Sequence, residues 1–201
     1  MSTVHKYISN SVSRKKKGEL IFPADFRGKG SGGAIKMALS RLAKEGILTR
    51  LAHGIYYIPK EHELFGVLYP APEEVAQTIA KKEKVRIKPA GAYALHRLGL
   101  STQVPTKLVY LTDGEPRLIK IGKSVIRFKS TTPKKMSMKG AVSSLVIQAL
   151  EELGIKAIDP VTRKKIRMLL QKEDVKQLQR DLKLAPSRIH DYIINLLKEA
   201  K

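Results

Sequence analysis

Lys36, Ser40 and Arg41 fall within six residues of one another, Lys44 follows three residues later, and Arg50 and His53 come shortly after. Cations and a hydroxyl in this arrangement contact anions and hydrogen-bonding edges: lysine and arginine neutralise phosphate, and serine donates or accepts as required. Just upstream stand Ser31, Gly32 and Gly33. Two consecutive glycines have no side chains to hold a ligand away, so the backbone amides there can approach a phosphate closely.

These residues need a helix and a turn to bring them together. Ile35, Leu39, Leu42 and Ala43 repeat at helical spacing and predict a helix from about residue 31, with Lys36, Ser40, Arg41 and Lys44 outside the apolar stripe. Ser31 is the expected N-cap and Gly46 the left-handed stop. Two short strands follow within 47–58, with Arg50 near the start of the first and His53 at the turn between them. Upstream, Val4, Tyr7, Ile8 and Val12 predict a helix over 3–14 capped by Ser2 or Thr3. Pro23 opens a short second helix over 22–26. Three helices and a hairpin in this order read as a winged helix-turn-helix.

Beyond Pro59, a segment with breakers at Pro59, Gly66, Pro70 and Pro72 reads as a connection. A helix over 72–82 carries acids first and bases last, as the helix dipole favours. A strand over 85–88 and a helix over 89–99 come next. Strand-like runs at 107–112, 117–121 and 124–129 are joined by Asp113-Gly114 and Gly122-Lys123, both turn signals. In this region Arg117, Lys120, Arg127 and Lys129 alternate with apolar residues, giving a half-buried sheet with a basic outer face. From Lys139 onward the pattern is helical, with Gly154, Asp159-Pro160, Glu173-Asp174 and Ala185-Pro186 marking four successive helices.

The chain of 201 residues holds 39 Lys and Arg against 18 Asp and Glu, a formal net charge of +21. Such an excess implies a polyanionic partner. Residues 1–60 alone carry 12 basic and 3 acidic side chains, so the charge is densest around the predicted helix and hairpin. There is no cysteine, which excludes disulfides and thiolate metal sites. No apolar run nears the roughly 18 residues of a membrane span, and the N-terminus has no apolar signal-peptide core. A cytoplasmic location is expected.

Catalytic patterns are sparse. Asp113 and Glu115 suggest a nuclease-type carboxylate pair, but turn chemistry accounts for Asp113-Gly114 without a metal. His96 lies beside Leu95 and Leu98 on a short amphipathic helix, where packing is the simpler role. The five histidines lack zinc-ligand spacing. The run Gly28-Lys-Gly-Ser-Gly-Gly33 lacks the Gly-Lys-Ser/Thr ending of a phosphate loop. No enzyme activity, metal or cofactor is expected.

Three stretches carry a family resemblance: Ala38-Leu-Ser-Arg-Leu-Ala-Lys-Glu-Gly-Ile-Leu-Thr-Arg-Leu-Ala-His-Gly-Ile-Tyr-Tyr-Ile-Pro59, Pro89-Ala-Gly-Ala-Tyr-Ala-Leu-His-Arg-Leu-Gly-Leu-Ser-Thr-Gln-Val-Pro105, and Leu108-Val-Tyr-Leu-Thr-Asp-Gly114. Together they resemble AbiEi-type antitoxins of bacterial type IV toxin–antitoxin (abortive infection) systems. The resemblance implies an autorepressor that binds inverted repeats in its own promoter, and a C-terminal domain that opposes a toxin of nucleotidyltransferase type.

The expected fold is α+β: a winged helix-turn-helix over 1–60, an α+β antitoxin-like domain with a small, mainly antiparallel sheet over 61–155, and a helical extension packed on it over 156–201. The expected partner is double-stranded DNA, an inverted-repeat operator, contacted through Ser31, Gly32, Gly33, Lys36, Ser40, Arg41, Lys44, Arg50 and His53. The competing reading is a winged-helix module that binds protein or RNA and no operator.

Overall fold

A computed structural model describes residues 3–198 of the chain and shows a mixed α+β fold. Two compact units can be distinguished. The first runs to Thr78 and takes in Ile119–Lys123; the second holds Ile79–Leu118 and the chain from Ser124 onward.

In the first unit, α1 (Thr3–Ser13) precedes a two-residue strand, β1 (Leu20–Ile21), and a single 3-10 turn at Pro23–Phe26. Helix α2 (Gly32–Lys44) starts where Ser31 accepts a hydrogen bond from the Ala34 N–H at 3.2 Å. It ends before Gly46, whose φ of +76° lies in the left-handed region that favours glycine. Strands β2 (Thr49–Ala52) and β3 (Ile55–Tyr57) form an antiparallel hairpin with a bulge between Arg50 and Ala52, and β1 pairs with the outer side of β3. A run of two residues has no period to detect, so sequence periodicity does not reveal β1. Ile8 and Val12 of α1 pack with Ile35, Leu39 and Leu42 of α2 and with Ile21, Leu48 and Tyr56. The α1 stripe is rotated from the expected one: His5 is buried, whereas Tyr7 faces outward with the Lys29 ammonium 5.2 Å from its ring centre. Ser2, the alternative cap, lies outside the described residues.

The expected connection after Pro59 contains a second hairpin, β4 (Lys60–His62) with β5 (Gly66–Leu68). Its strands are three residues each and sit among prolines, so composition hides them. Leu64 and Phe65 stand exposed at its tip. Buried Tyr57 donates its hydroxyl to the Leu68 carbonyl, and burial raises its pKa above the ordinary phenol value. Helix α3 (Pro72–Glu83) follows, with acids in its first turn and lysines in its last.

The second unit contains β6 (Ile87–Ala90), β7 (Lys107–Thr112) and β9 (Ser124–Ser130), and with β8 (Arg117–Ile121), whose last three residues are counted with the first unit, the strand order is β6-β7-β9-β8. Pro89, expected to open a helix, lies in β6 opposite Tyr110; an edge strand tolerates the missing N–H. Helix α4 (Gly91–Arg97) begins two residues later. The sheet is mixed. β6 runs antiparallel to β7, but β7 and β9 are parallel, and β8 lies beyond β9 at the other edge. The Asp113-Gly114 turn therefore does not close a hairpin between β7 and β8. It is tied to the start of β6 instead: Asp113 accepts from the Arg86 N–H and from Arg86 Nε, each at 2.7 Å, and the Thr112 hydroxyl donates to the Arg86 carbonyl at 3.1 Å.

Five α-helices and a 3-10 turn at Ile155–Ala157 complete the described chain: α5 (Pro133–Met136), α6 (Ser143–Leu153), α7 (Pro160–Leu170), α8 (Val175–Leu184) and α9 (Ser187–Lys198). Asp159 and Asp174 cap α7 and α8 by accepting from N–H groups of the first turn. Val146, Ile147 and Leu150 of α6 share one core with Ile166, Leu170, Leu182, Ile189 and Ile193. No helix among the described residues is long and apolar enough to cross a membrane.

The N-terminus of α6 is held by two carboxylates from further along the chain. Glu173 accepts from the Val142 and Ser143 N–H groups at 2.7 and 2.8 Å. Fully buried Asp181 accepts from the Lys139 and Gly140 N–H groups at 2.9 and 2.8 Å and from the Ser143 hydroxyl at 2.7 Å. Gly140 makes room for both acids: a Cβ there would lie 2.7 Å from Glu173 Oε2 and 2.8 Å from Asp181 Oδ2. Nearby, the Lys88 ammonium donates to the Lys135 and Met138 carbonyls. Burial lowers its pKa, and the Asp181 charge opposes that shift. Asp181→Ala leaves two backbone donors and a buried hydroxyl without an acceptor, and should destabilise the fold by about 3 kcal/mol or more in urea denaturation. A loss below about 1 kcal/mol would contradict this account.

Candidate functional site

Five of the nine expected site residues converge on one groove of about 370 Å³ in the first unit. Helix α2 contributes Gly33, Lys36 and Ser40 at i, i+3 and i+7, and the β2–β3 hairpin contributes Arg50 and His53 from the opposite side. The bulge between Arg50 and Ala52 breaks the strand register just before the turn, and Arg50 is fixed there by two contacts. Its Nε lies 3.4 Å from the Ala52 carbonyl, and its Nη2 lies 3.2 Å from His53 Nδ1. Arg50 and His53 thus act as one polar unit at the hairpin tip.

No described residue of the groove wall carries a carboxylate. Lys36, Arg41, Lys44 and Arg50 are exposed and form no ion pair with any described residue. Their charge is left to solvent or to a ligand, and such a surface attracts anions. Arg41 and Lys44 lie outside the groove, with Arg41 Nη2 3.6 Å from Met37 Sδ. Ser31 caps α2, and Gly32 occupies its exposed first turn. A Cβ at either Gly32 or Gly33 would meet nothing within 4 Å, and neither glycine has a positive φ. Nothing within the folded chain requires glycine at these two positions.

Pro23, Met37 and Tyr56 also line the groove. Met37 is 58% exposed, four residues after Gly33 and three before Ser40. Its place on the polar face was readable from that spacing, but reading only polar residues as site candidates passes over it. Pro23 and Tyr56 arrive through tertiary packing, and no local pattern marks them.

The carboxylate pair considered at 113 and 115 is not assembled as a metal site. Asp113 is engaged by Arg86, and no group of three or more metal-ligating side chains occurs among the described residues. The side-chain hydrogen bond from Arg86 is the main cause that lowers the Asp113 pKa, with the backbone bond from the same residue next.

The chain belongs to a protein family of unknown function, DUF6088, whose pattern matches residues 7–178. No curated protein matches the chain significantly. The family match spans the groove, the four-stranded sheet and the helices as far as α8.

The Asp113 carboxyl titrates lower folded than unfolded, so its contribution to stability is present above the unfolded pKa and is lost as pH falls through the depressed value. Arg86→Gln should return the Asp113 pKa toward the ordinary carboxylate range and remove that part of the acid sensitivity. Carbon-detected NMR titration of the carboxyl measures it; an unchanged pKa would exclude Arg86 as the cause.

Proposed function

We propose that this protein is a sequence-specific DNA-binding regulator. In this reading the first unit is a winged helix-turn-helix, with α2 as the recognition helix and the β2–β3 hairpin as the wing. The observation that carries it is the carboxylate-free groove in which Gly33, Lys36 and Ser40 face Arg50 and His53. A helix presenting its first turns fits the major groove, where each base pair offers a distinct pattern of donors and acceptors. Lys36 and Ser40 read base edges or fix register on the backbone, while Arg41 and Lys44 neutralise flanking phosphates. The Arg50–His53 pair reaches a neighbouring phosphate or the minor groove.

The glycines fit the same reading. The first N–H groups of a helix have no acceptor within it and carry the positive end of its dipole. Open space before Gly32 and Gly33 lets a phosphate reach those amides. The charge excess of the whole chain adds a non-specific attraction that falls steeply with salt.

Autorepression through an inverted repeat, and an antitoxin role against a nucleotidyltransferase-type toxin, rest on the resemblance carried by residues 38–59, 89–105 and 108–114 alone. Binding to an inverted repeat requires two copies of the chain on one site.

Fluorescence anisotropy with duplex DNA from upstream of the protein's own reading frame tests the proposal, with shuffled duplex and structured RNA as competitors. Preference for the upstream duplex is expected. Lys36→Ala and Arg50→Ala should each weaken it, and each lost phosphate contact should reduce the slope of log affinity against log salt by about one unit. Gly33→Leu should fold normally and lose the specific complex. Unchanged binding in all three variants, or preference for RNA, would overturn the assignment.

A further inference from the structure

The second unit holds a cleft of about 640 Å³, within the range of roughly 300–1,000 Å³ typical of small-molecule sites. One wall is the face of the sheet on which Lys107, Val109 and Leu111 of β7 alternate with residues pointing to the other side. The parallel register sets Arg127 beside Val109 and Lys129 beside Leu111. Three cations therefore frame two apolar side chains. Lys107, Arg127 and Lys129 form no ion pair with any described residue.

Helix α6 supplies the other polar groups through Gln148, Glu151 and Glu152, at i, i+3 and i+4 on one face. Glu151 is neutralised by Lys135 at 2.8 Å. Gln148 is only 5% exposed, lines the cleft, and its amide has no hydrogen-bond partner among the described residues. The amide atoms themselves are not enclosed by the fold, so at the cleft wall they are open to a ligand's donors and acceptors. Glu152 is left uncovered at Gly91, where φ is +58° and a Cβ would come within 3.4 Å of its carboxylate.

We propose that this cleft binds a nucleoside phosphate. Lys107, Arg127 and Lys129 hold the phosphate chain, Val109 and Leu111 give the base an apolar surface, and the Gln148 amide pairs with the base edge. The amide offers one acceptor and two donors, the combination that base edges match. Other anions fit less of the cleft. Inorganic polyphosphate leaves the Gln148 amide unpaired and Val109 and Leu111 uncovered. Every residue involved lies in the second unit, so the proposal stands independently of operator binding by the first.

The test uses the full chain and the anisotropy of a fluorescently labelled nucleoside triphosphate, displaced by each unlabelled nucleoside triphosphate, by inorganic triphosphate and by a short single-stranded RNA. Nucleoside triphosphates should compete at least about tenfold better than inorganic triphosphate. The double variant Arg127→Gln/Lys129→Gln, on an exposed sheet face, should weaken binding by about tenfold or more. Gln148→Leu should erase the advantage over inorganic triphosphate; Gln148→Glu, close in size, serves if the leucine variant unfolds. Displacement by the RNA and by no free nucleoside triphosphate would overturn the proposal in favour of strand binding. Equal competition by inorganic triphosphate, or undiminished binding by the double variant, would overturn the proposal. Upstream-duplex binding by the same variants keeps failure here distinct from failure of the regulatory reading.

Discussion

Carboxylates are the scarcer charge of this chain, and the fold uses many of them for internal structure. With 18 acids against 39 bases, any acid engaged inside the fold leaves a base elsewhere without a partner. Asp25, Asp159 and Asp174 bond to backbone N–H groups at the starts of helical turns, and Glu173 and Asp181 hold the start of α6. Asp113, Glu83 and Glu151 bind Arg86, Arg117 and Lys135. The acids stabilise helix ends and chain crossings, where a carboxylate meets a positive dipole or a fixed donor. The cations of the groove and of the sheet face are among those left without an acid.

The two cationic surfaces differ in kind. The groove of the first unit is open and has no acid on its wall, which suits a ligand with regular, repeated negative charge. The cleft of the second unit opposes its three free cations with an amide, a paired glutamate and an unpaired one. That mixture suits a small ligand with a charged end and a hydrogen-bonding end. Net charge alone does not separate the two cases; the placement of the few acids does.

Much of the first unit was legible because its signals are local. Ser31 as a cap, Gly46 as a stop and the Ile35, Leu39, Leu42 stripe each depend on residues within a few positions, and each is found in the structure. The convergence of Gly33, Lys36 and Ser40 with Arg50 and His53 follows from a helix and a hairpin joined by a short link. Long-range choices were not legible. Asp113-Gly114 carries a good hairpin signal, yet Arg86, 27 residues earlier, claims the aspartate, and β9 takes the place beside β7 that a hairpin would have given to β8. Pro89 reads as a helix start until β6 is known to lie at an edge. Gln148 reads as an ordinary helix residue, and only the sheet opposite makes its amide notable.

Helix α6 connects the internal use of acids to the surface of the second unit. Glu173 and Asp181 fix its first residues, and further along the same helix Gln148, Glu151 and Glu152 line the cleft. A helix is stiff over that distance, so the acids that hold its start also set where the amide and the two carboxylates stand. Gly140 belongs to the same device, since a side chain there would displace both acids and tilt the wall of the cleft. The residues that fix this surface therefore lie mostly outside it, in α8 and in the turn before α6. Substitutions there would act on ligand binding through position, without touching any charge that the ligand meets.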